Sequence, residues 1–411
     1  MIERIAIKNF KSLVDVEIKL DRFNCFVGMN GAGKSTLLQA LDFISQQMHG
    51  FLDSWLDSRG WTSKDLYSRT GNLRAAHQGI SLAVLYRLKD GTQLRWGGSF
   101  NRTSMRLTRE LIWLGEDESK ETVLEVIDGK CKLPDQQFSI PFEYQGSVLS
   151  QLKDNVLPES VREFRDVIRN IRSLELLSPH LLRKRSRTQD KDIGAGGEKL
   201  SGFLGQLNPE EKERLLNLLR KFYPRLQNFR VATVKGGWKR LVVSESYDMT
   251  DGLFPGAETT FETEASQLND GLLRILAILA QTASQHSSLL LLDEVENGIN
   301  PEIVEKLVDT LVNSPMQIIV TTHSPMILNY LEDDVARKAV QFVYKSPRGN
   351  TQVRRFFDIP RISEKLSYMG PGEAFVDTNL QDLSDECVSL DNEQAEITKS
   401  NGGKTDKSTR A

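Results

Sequence analysis

The chain has 411 residues and is 39% hydrophobic, enough to bury one large core or two moderate ones. A net charge of −3 excludes a global pull toward nucleic acid, so any such contact needs a local patch. Three scattered cysteines (Cys25, Cys131, Cys387), a Met-Ile-Glu-Arg start unlike a signal peptide, and no apolar stretch near the roughly 20 residues of a membrane span predict a cytoplasmic protein without disulfides or structural zinc.

Ile2, Ile5 and Ile7 predict a first strand, Val14, Val16, Ile18 and Leu20 alternate as a second, and Phe23–Val27 reads as a buried third. Directly after it, residues 28–36 read Gly-Met-Asn-Gly-Ala-Gly-Lys-Ser-Thr, and Leu37, Leu38, Leu41 and Ile44 then recur at helical spacing. This is G-x-x-x-x-G-K-[ST] between a strand and a helix, the context that makes the pattern a phosphate cradle. Gly28, Gly31 and Gly33 allow the tight turn that points successive N–H groups at one anion, and the helix N-terminus adds partial positive charge. Asn30, Gly31, Gly33, Lys34, Ser35 and Thr36 are the candidate contacts to a nucleoside triphosphate. Lys34 can reach the β- and γ-phosphates, and Ser35 can offer its hydroxyl to Mg²⁺. A Gly-rich surface turn is the competing reading, and the strand and helix on either side argue against it.

Ile80, Leu82, Val84, Tyr86 and Leu88 alternate as a strand with Asp90-Gly91 as its turn, and Trp96 and Met105–Trp113 can pair with it. Leu157 to Leu177 reads as helical, and no heptad register persists, which excludes a long coiled coil. Arg183, Lys184, Arg185, Arg187 and Lys191 put five cations within nine residues, before a Gly194–Gly197 stretch expected to be a flexible loop. Such a run is usually a solvated loop; its functional reading is phosphate contact with nucleic acid.

Asn208-Pro209-Glu210-Glu211 starts a helix with Leu215, Leu216, Leu219 and Phe222 on its buried face, and Phe229–Val234 and Lys239–Ser244 read as strands. Asn269 or Asp270 caps a helix over Gly271–Ala283. Four leucines, Leu289–Leu292, then run into Asp293-Glu294, and Asn300-Pro301 opens another helix. Beside a phosphate loop, Asp293 can hold Mg²⁺ through a water while Glu294 polarises the attacking water; alone, the pair would read as a solvated acidic turn. The apolar strand Gln317–Thr322 delivers His323 at its end, where a parallel sheet faces its ligand crevice. His323 can therefore meet a γ-phosphate oxygen, whereas the other four histidines read as structural or surface residues. Beyond Asp377 aromatic residues vanish, and 378–411 is expected to be disordered.

Taken in order, these segments resemble the ABC-type ATPases of the RecF, SMC and OLD-like branch. Ile5–Leu13 resembles the first strand, Leu268-Asn-Asp-Gly-Leu-Leu-Arg274 the signature segment, Leu289–Asn297 the Walker B strand, Asn297–Pro301 the approach to the D-loop helix, and Thr322-His-Ser-Pro325 the switch histidine. Asn269 stands where the signature has Ser, and Asp270 where it has a second glycine. Gln78 is the candidate for the Gln loop. The resemblance implies an α/β P-loop NTPase fold: an ABC-ATPase head with a mixed sheet, an antiparallel N-terminal β subdomain and an α/β lid insertion. It divides the chain into an N-terminal lobe (1–50), a lid (51–200), a C-terminal lobe (201–377) and a tail (378–411).

It also implies ATP and Mg²⁺ as ligands, and a head-to-tail dimer or higher homo-oligomer. In that dimer Asn269 and Gly271 act on nucleotide held by the other chain, and hydrolysis at Glu294 releases it. Compact members of this kind resemble bacterial anti-phage ATPases encoded with a separate effector, often a Toprim-like or other nuclease, and Glu364–Val376 looks like their C-terminal element. A RecF-like DNA repair ATPase and a nucleotide-gated scaffold with little turnover are the alternatives. The intact Lys34, Asp293 and Glu294 argue against the scaffold, and the N-terminal strands and the long insertion against a membrane transporter subunit.

Overall fold

The computed structural model describes residues 1–68, 79–116, 120–187, 192–249, 257–284 and 286–405, with side chains left out at 248–249, 257–258 and 394–405. Period-two alternation at the N-terminus becomes a hairpin of β1 (Ile2–Phe10) and β2 (Leu13–Lys19), pairing Ile5 with Ile18 and Ile7 with Val16 inward. Outward positions carry charge, with Arg4–Glu17 at 2.7 Å and Lys8–Asp15 at 2.8 Å. The fully buried β3 (Phe23–Val27) runs through the phosphate loop into α1 (Lys34–His49), followed by α2 (Leu52–Ser58).

Six strands, β4 (Ile80–Arg87), β5 (Gln93–Asn101), β6 (Arg106–Leu114), β7 (Glu121–Ile127), β8 (Lys130–Leu133) and β9 (Gln136–Ser139), then meander onto the open edge of β1. The result is one antiparallel sheet in the order β2-β1-β4-β5-β6-β7-β8-β9. A boundary at residue 50 would therefore cut a continuous sheet, because β4 satisfies the backbone groups that β1 would leave bare. Trp96 and Glu110 meet inside this sheet's core, with Trp96 Nε1 donating to the carboxylate at 2.8 Å.

The helix expected over 157–177 ends early. After α3 (Glu159–Arg169), residues Ile171–Ser173 form β10, parallel to Leu289–Leu291 and so an edge of the other main sheet. Helix α4 (Pro179–Leu182) precedes the Gly194–Gly197 stretch, which is a packed turn and not a flexible loop. The Gly196 carbonyl accepts from Ser178 N at 3.0 Å, and a Cβ on Gly196 would collide with Leu181. Next come α5 (Leu200–Leu204) and α6 (Pro209–Phe222), whose cap is reciprocal: Glu211 N donates to Asn208 at 2.9 Å and Asn208 N to Glu211 at 3.1 Å.

Strands β11 (Leu226–Thr233), β12 (Lys239–Met249) and β13 (Ala257–Glu264) form a separate antiparallel sheet. β13 is hidden in sequence because Ala-Glu-Thr-Thr-Phe-Glu-Thr-Glu carries no apolar stripe. The chain continues through α7 (Asp270–Ala283), β14 (Leu289–Leu292), α8 (Pro301–Val312), β15 (Gln317–Thr321), α9 (Pro325–Asn329), α10 (Asp333–Ala339), β16 (Val340–Lys345) and β17 (Thr351–Arg355). The central sheet has the order β10-β14-β15-β3-β16-β17, parallel except for β17. Its faces bury different cores: Leu289, Leu291 and Phe26 pack on the side of α1, while Leu290, Leu292 and Cys25 pack on the side of α7. All three cysteines are buried free thiols.

Short helices α11 (Pro360–Lys365) and α12 (Pro371–Val376) lead into α13 (Leu380–Thr405), which corrects the expected disordered tail. Leu383 and Cys387 are fully buried, and Asp391 accepts from Tyr344 at 2.5 Å and Arg354 at 2.7 Å. Two apolar anchors and one bridging carboxylate order a segment whose composition alone reads as unstructured.

Candidate functional site

Three strands of the central sheet end at one place. The loop after β3 turns at Gly28, Gly31 and Gly33, whose φ values are +148°, +76° and +112°. Its inner side is packed: a Cβ on Gly28 would strike the Val343 carbonyl, and one on Gly33 the Thr351 side chain. Its outer side is open, since Asn30 and Gly31 are exposed and a Cβ on Gly31 would touch nothing within 4 Å. Lys34 is buried and folds back across the loop, donating to Gly28 O at 2.8 Å, Met29 O at 3.1 Å and His323 Nδ1 at 3.3 Å. Burial presses its amine down to about 8, against the opposing pull of Asp293, Glu294 and Glu296. Ser35 and Thr36 follow, half-buried, at the start of α1.

Asp293 and Glu294 leave the end of β14, and Thr321 at the end of β15 stitches them down. Its hydroxyl donates to Asp293 Oδ1 and accepts from Glu294 N at 2.9 Å. Glu294 takes a left-handed backbone, φ 46°, uncommon for a residue with a side chain. Its carboxylate lies 3.6 Å from His323 Nε2 and accepts from Asn297 at 3.2 Å. An ammonium can only donate, so His323 Nδ1 is the acceptor and Nε2 carries the proton toward Glu294. Lys34, His323 and Glu294 thus form one line across the strand ends.

Asn269, not Asp270, caps α7, accepting from Leu272 N at 2.7 Å. Asn269 and Gly271 open onto a surface hollow with Tyr223, Gly298 and Asn300, away from the phosphate loop residues of their own chain. Gln78 lies outside the described residues.

A loop of this shape fits a triphosphate, and the acid turn fits Mg²⁺. Its glycine on the open side has no neighbour, its lysine holds three donors on weak acceptors, and its acids number too few to hold a cation alone. Among the described residues no group of three His, Cys, Asp or Glu is placed to hold a metal ion.

Residues 1–84 match the family described as "AAA ATPase domain", and residues 146–329 the one described as "AAA domain, putative AbiEii toxin, Type IV TA system". An OLD nuclease from Thermus scotoductus is 31% identical over 134 residues, 33% of this chain and 22% of that protein. The DNA replication and repair protein RecF of Bacteroides thetaiotaomicron is 48% identical over 46 residues, 11% of this chain and 12% of RecF. The chain therefore spans under a quarter of the length of either relative. The chain thus matches AAA-type ATPase family models over two stretches and is similar to OLD nuclease and RecF over shorter ones. Among solved structures, the SMC head domain from Thermotoga maritima is 12% identical with a TM-score of 0.46, covering 86% of this chain and 98% of that one. The Smc head derived from Pyrococcus furiosus, bound to the C-terminal domain of ScpA, is 14% identical with a TM-score of 0.49, covering 89% and 99%.

Three residues of this candidate site escaped the reading of the sequence. Glu296 Oε1 accepts from Thr322 Oγ1 at 2.8 Å, His323 N at 3.1 Å and Ser324 N at 3.2 Å, and so fixes the turn that carries His323. Arg274, one turn into α7, donates to the carbonyls of Asp293 at 2.9 Å and Glu294 at 2.8 Å. Thr351 Oγ1 donates to Ala32 O at 2.9 Å and accepts from Lys345 at 3.0 Å, holding the phosphate loop from behind. Arg274 and Glu296 had a signal, their places in the signature-like and Walker B segments, and Thr351 had none.

The basic cluster is largely tied. Arg183 pairs with Asp270 and donates to Leu268 O at 2.7 Å, and Arg185 pairs with Glu264 at 2.8 Å. Arg187 donates to Gly236 O at 2.8 Å, and Lys191 lies outside the described residues. Among the described residues no helix is long and apolar enough to cross a membrane.

Proposed function

We propose that the chain binds ATP with Mg²⁺ and hydrolyses it, working as a head-to-tail dimer or higher homo-oligomer that controls a separate effector, a nuclease, in anti-phage defence. The contact line Lys34–His323–Glu294 carries this reading, because it places a cation, a neutral imidazole and a carboxylate beside an open glycine-rich loop. Lys34 exchanges the Gly28 and Met29 carbonyls for the β- and γ-phosphates, a gain because those carbonyls are weak acceptors by comparison. Ser35, and Asp293 through a water, would hold Mg²⁺, which would neutralise charge on the phosphates. Glu294 accepts the proton of the water that attacks the γ-phosphorus, and the P–O bond to the ADP oxygen breaks. His323 Nε2–H turns to a γ-phosphate oxygen.

Asn269 and Gly271 line a hollow that includes none of the phosphate-loop residues of their own chain, which supports their action on a second chain's nucleotide. The likeness to an OLD nuclease supports a nuclease as the effector. A RecF-like repair ATPase is the second reading, favoured by the match to RecF.

Glu294→Gln tests the chemistry: it removes the water-polarising group and leaves the cradle. Turnover is expected to vanish while ATP stays bound, and size-exclusion chromatography with ATP should show a dimer. Hydrolysis at the wild-type rate would overturn the catalytic assignment.

A further inference from the structure

Two segments far apart in sequence meet at the tip of the three-stranded sheet. Residues 183–187 run beside the β11–β12 turn, where Lys239 N donates to Ser186 O at 2.7 Å and Ser186 N to Lys239 O at 3.3 Å. The turn reads Lys235-Gly-Gly-Trp238, and its two glycines take φ of +78° and +77°, which bends the backbone sharply. Trp238 is 41% exposed, a large ring left in solvent. Arg187 lies 5.2 Å from the centre of that ring, held there by its bond to Gly236 O.

Charge gathers around the ring. Lys184, Arg187 and Lys235 are exposed, and Lys239 reaches Thr233 at 2.8 Å with its charge unpaired by that contact. Glu264 spends its carboxylate on Arg185 at 2.8 Å and Arg240 at 3.6 Å. Arg187 lies against one face of the ring, and the remaining cations sit on the same two segments.

We propose that Trp238, with Arg187, Lys184, Lys235 and Lys239 around it, is a stacking platform for single-stranded nucleic acid. Unpaired bases offer π-faces to an exposed indole at any sequence, and the flanking cations meet the backbone phosphates. A duplex hides its base faces, so the ring adds nothing to duplex binding. An acidic protein would use the cations and leave the ring bare. The binding proposed for this surface does not depend on hydrolysis.

Fluorescence anisotropy with labelled dT20, a 20-base-pair duplex and heparin tests this. The full chain is expected to bind dT20 more tightly than the duplex at low salt. Trp238→Ala should weaken dT20 by about 5- to 140-fold, the range of one base stacked on an aromatic ring, and leave heparin binding unchanged. Trp238→Phe should restore most of it. Changing Lys184, Arg187 and Lys235 together to Ser should lower the slope of log affinity against log salt by about 2, at roughly 0.7 per single-strand phosphate contact. ATP turnover without nucleic acid stays unchanged in every variant, so loss of turnover would report on the other site. Equal affinity for dT20 and duplex, an unchanged Trp238→Ala affinity with an unchanged circular dichroism spectrum, or no binding at 50 mM salt would each overturn the proposal.

Discussion

Glu296 offers the sharpest test of how the site is held. One of its carboxylate oxygens takes three donors, the Thr322 hydroxyl and the His323 and Ser324 amides, and the other is buried with no partner among the described residues. Glu296→Ala leaves these donors unequally placed. Ser324 N keeps the Thr322 hydroxyl at 2.9 Å, and that hydroxyl keeps Ser324 O at 3.4 Å, but His323 N loses the acceptor it has. His323 is exposed, so water can replace part of its amide's lost bond, and the lost charge-assisted bonds bring the expected total to about 2 kcal/mol. Glu296→Gln can keep an oxygen over all three donors and put its amide where the carboxylate oxygen had no partner, at about 1 kcal/mol. Urea denaturation reads the stability. Steady-state ATPase kinetics read the second consequence: in Glu296→Ala the turn carrying His323 loosens, so kcat falls on the order of a hundredfold while the KM for ATP holds. A glutamine variant as unstable and as slow as the alanine one would refute this account, as would an alanine variant with wild-type kcat.

Lys34→Ala is expected to abolish ATP binding in calorimetry, because the cradle loses its one mobile cation; retained micromolar affinity would remove the phosphate-loop argument. Mixing Lys34→Ala chains with Gly271→Arg chains should restore one intact site per heterodimer, and no recovery in dimers shown to form would count against action across the interface. Glu110 is fully buried under Trp96, Ser147 and Val148, and burial raises its carboxyl above the ordinary range. Its folded pKa exceeds its unfolded one, so its proton-linked stability is full below the usual carboxylate range and lost as pH rises through the folded value. Glu110→Gln should flatten that part of the pH–stability curve and cost about 1–3 kcal/mol, since an amide N–H₂ would face Val148 N–H; an unchanged slope would show that Glu110 does not supply it.

The parts of the site written contiguously were legible in the sequence, and the parts assembled across the sheet were not. Strand, glycine turn, lysine and helix follow one another from Phe23 to His49, so local spacing carries the whole cradle. Glu296 reaches its Thr322 partner 26 residues away, Arg274 reaches Asp293 across 19, and Thr351 reaches Ala32 across 319. No local pattern encodes such pairs. The tail failed for a related reason: composition predicts disorder, while Leu383, Cys387 and Asp391 dock on partners supplied by β16 and β17. The joining of β4 to β1 was not legible because period-two strands do not say which edge they will join.

Sheet order explains why His323 lies between the groups of the candidate site. β15 lies between β14 and β3, so a residue leaving its end has Glu294 on one side and Lys34 on the other. Strands sit about 4.8 Å apart, which separates the acid-bearing and lysine-bearing strands by about 10 Å. A γ-phosphate and its attacking water fit a gap of that size, and an imidazole rooted on the middle strand spans it with one nitrogen toward each neighbour. A histidine at the end of β14 or β3 would meet only one of the two groups. The middle strand is therefore the one place from which a single side chain can register the cation and the carboxylate together, and the contacts of Nδ1 with Lys34 and Nε2 with Glu294 are the consequence.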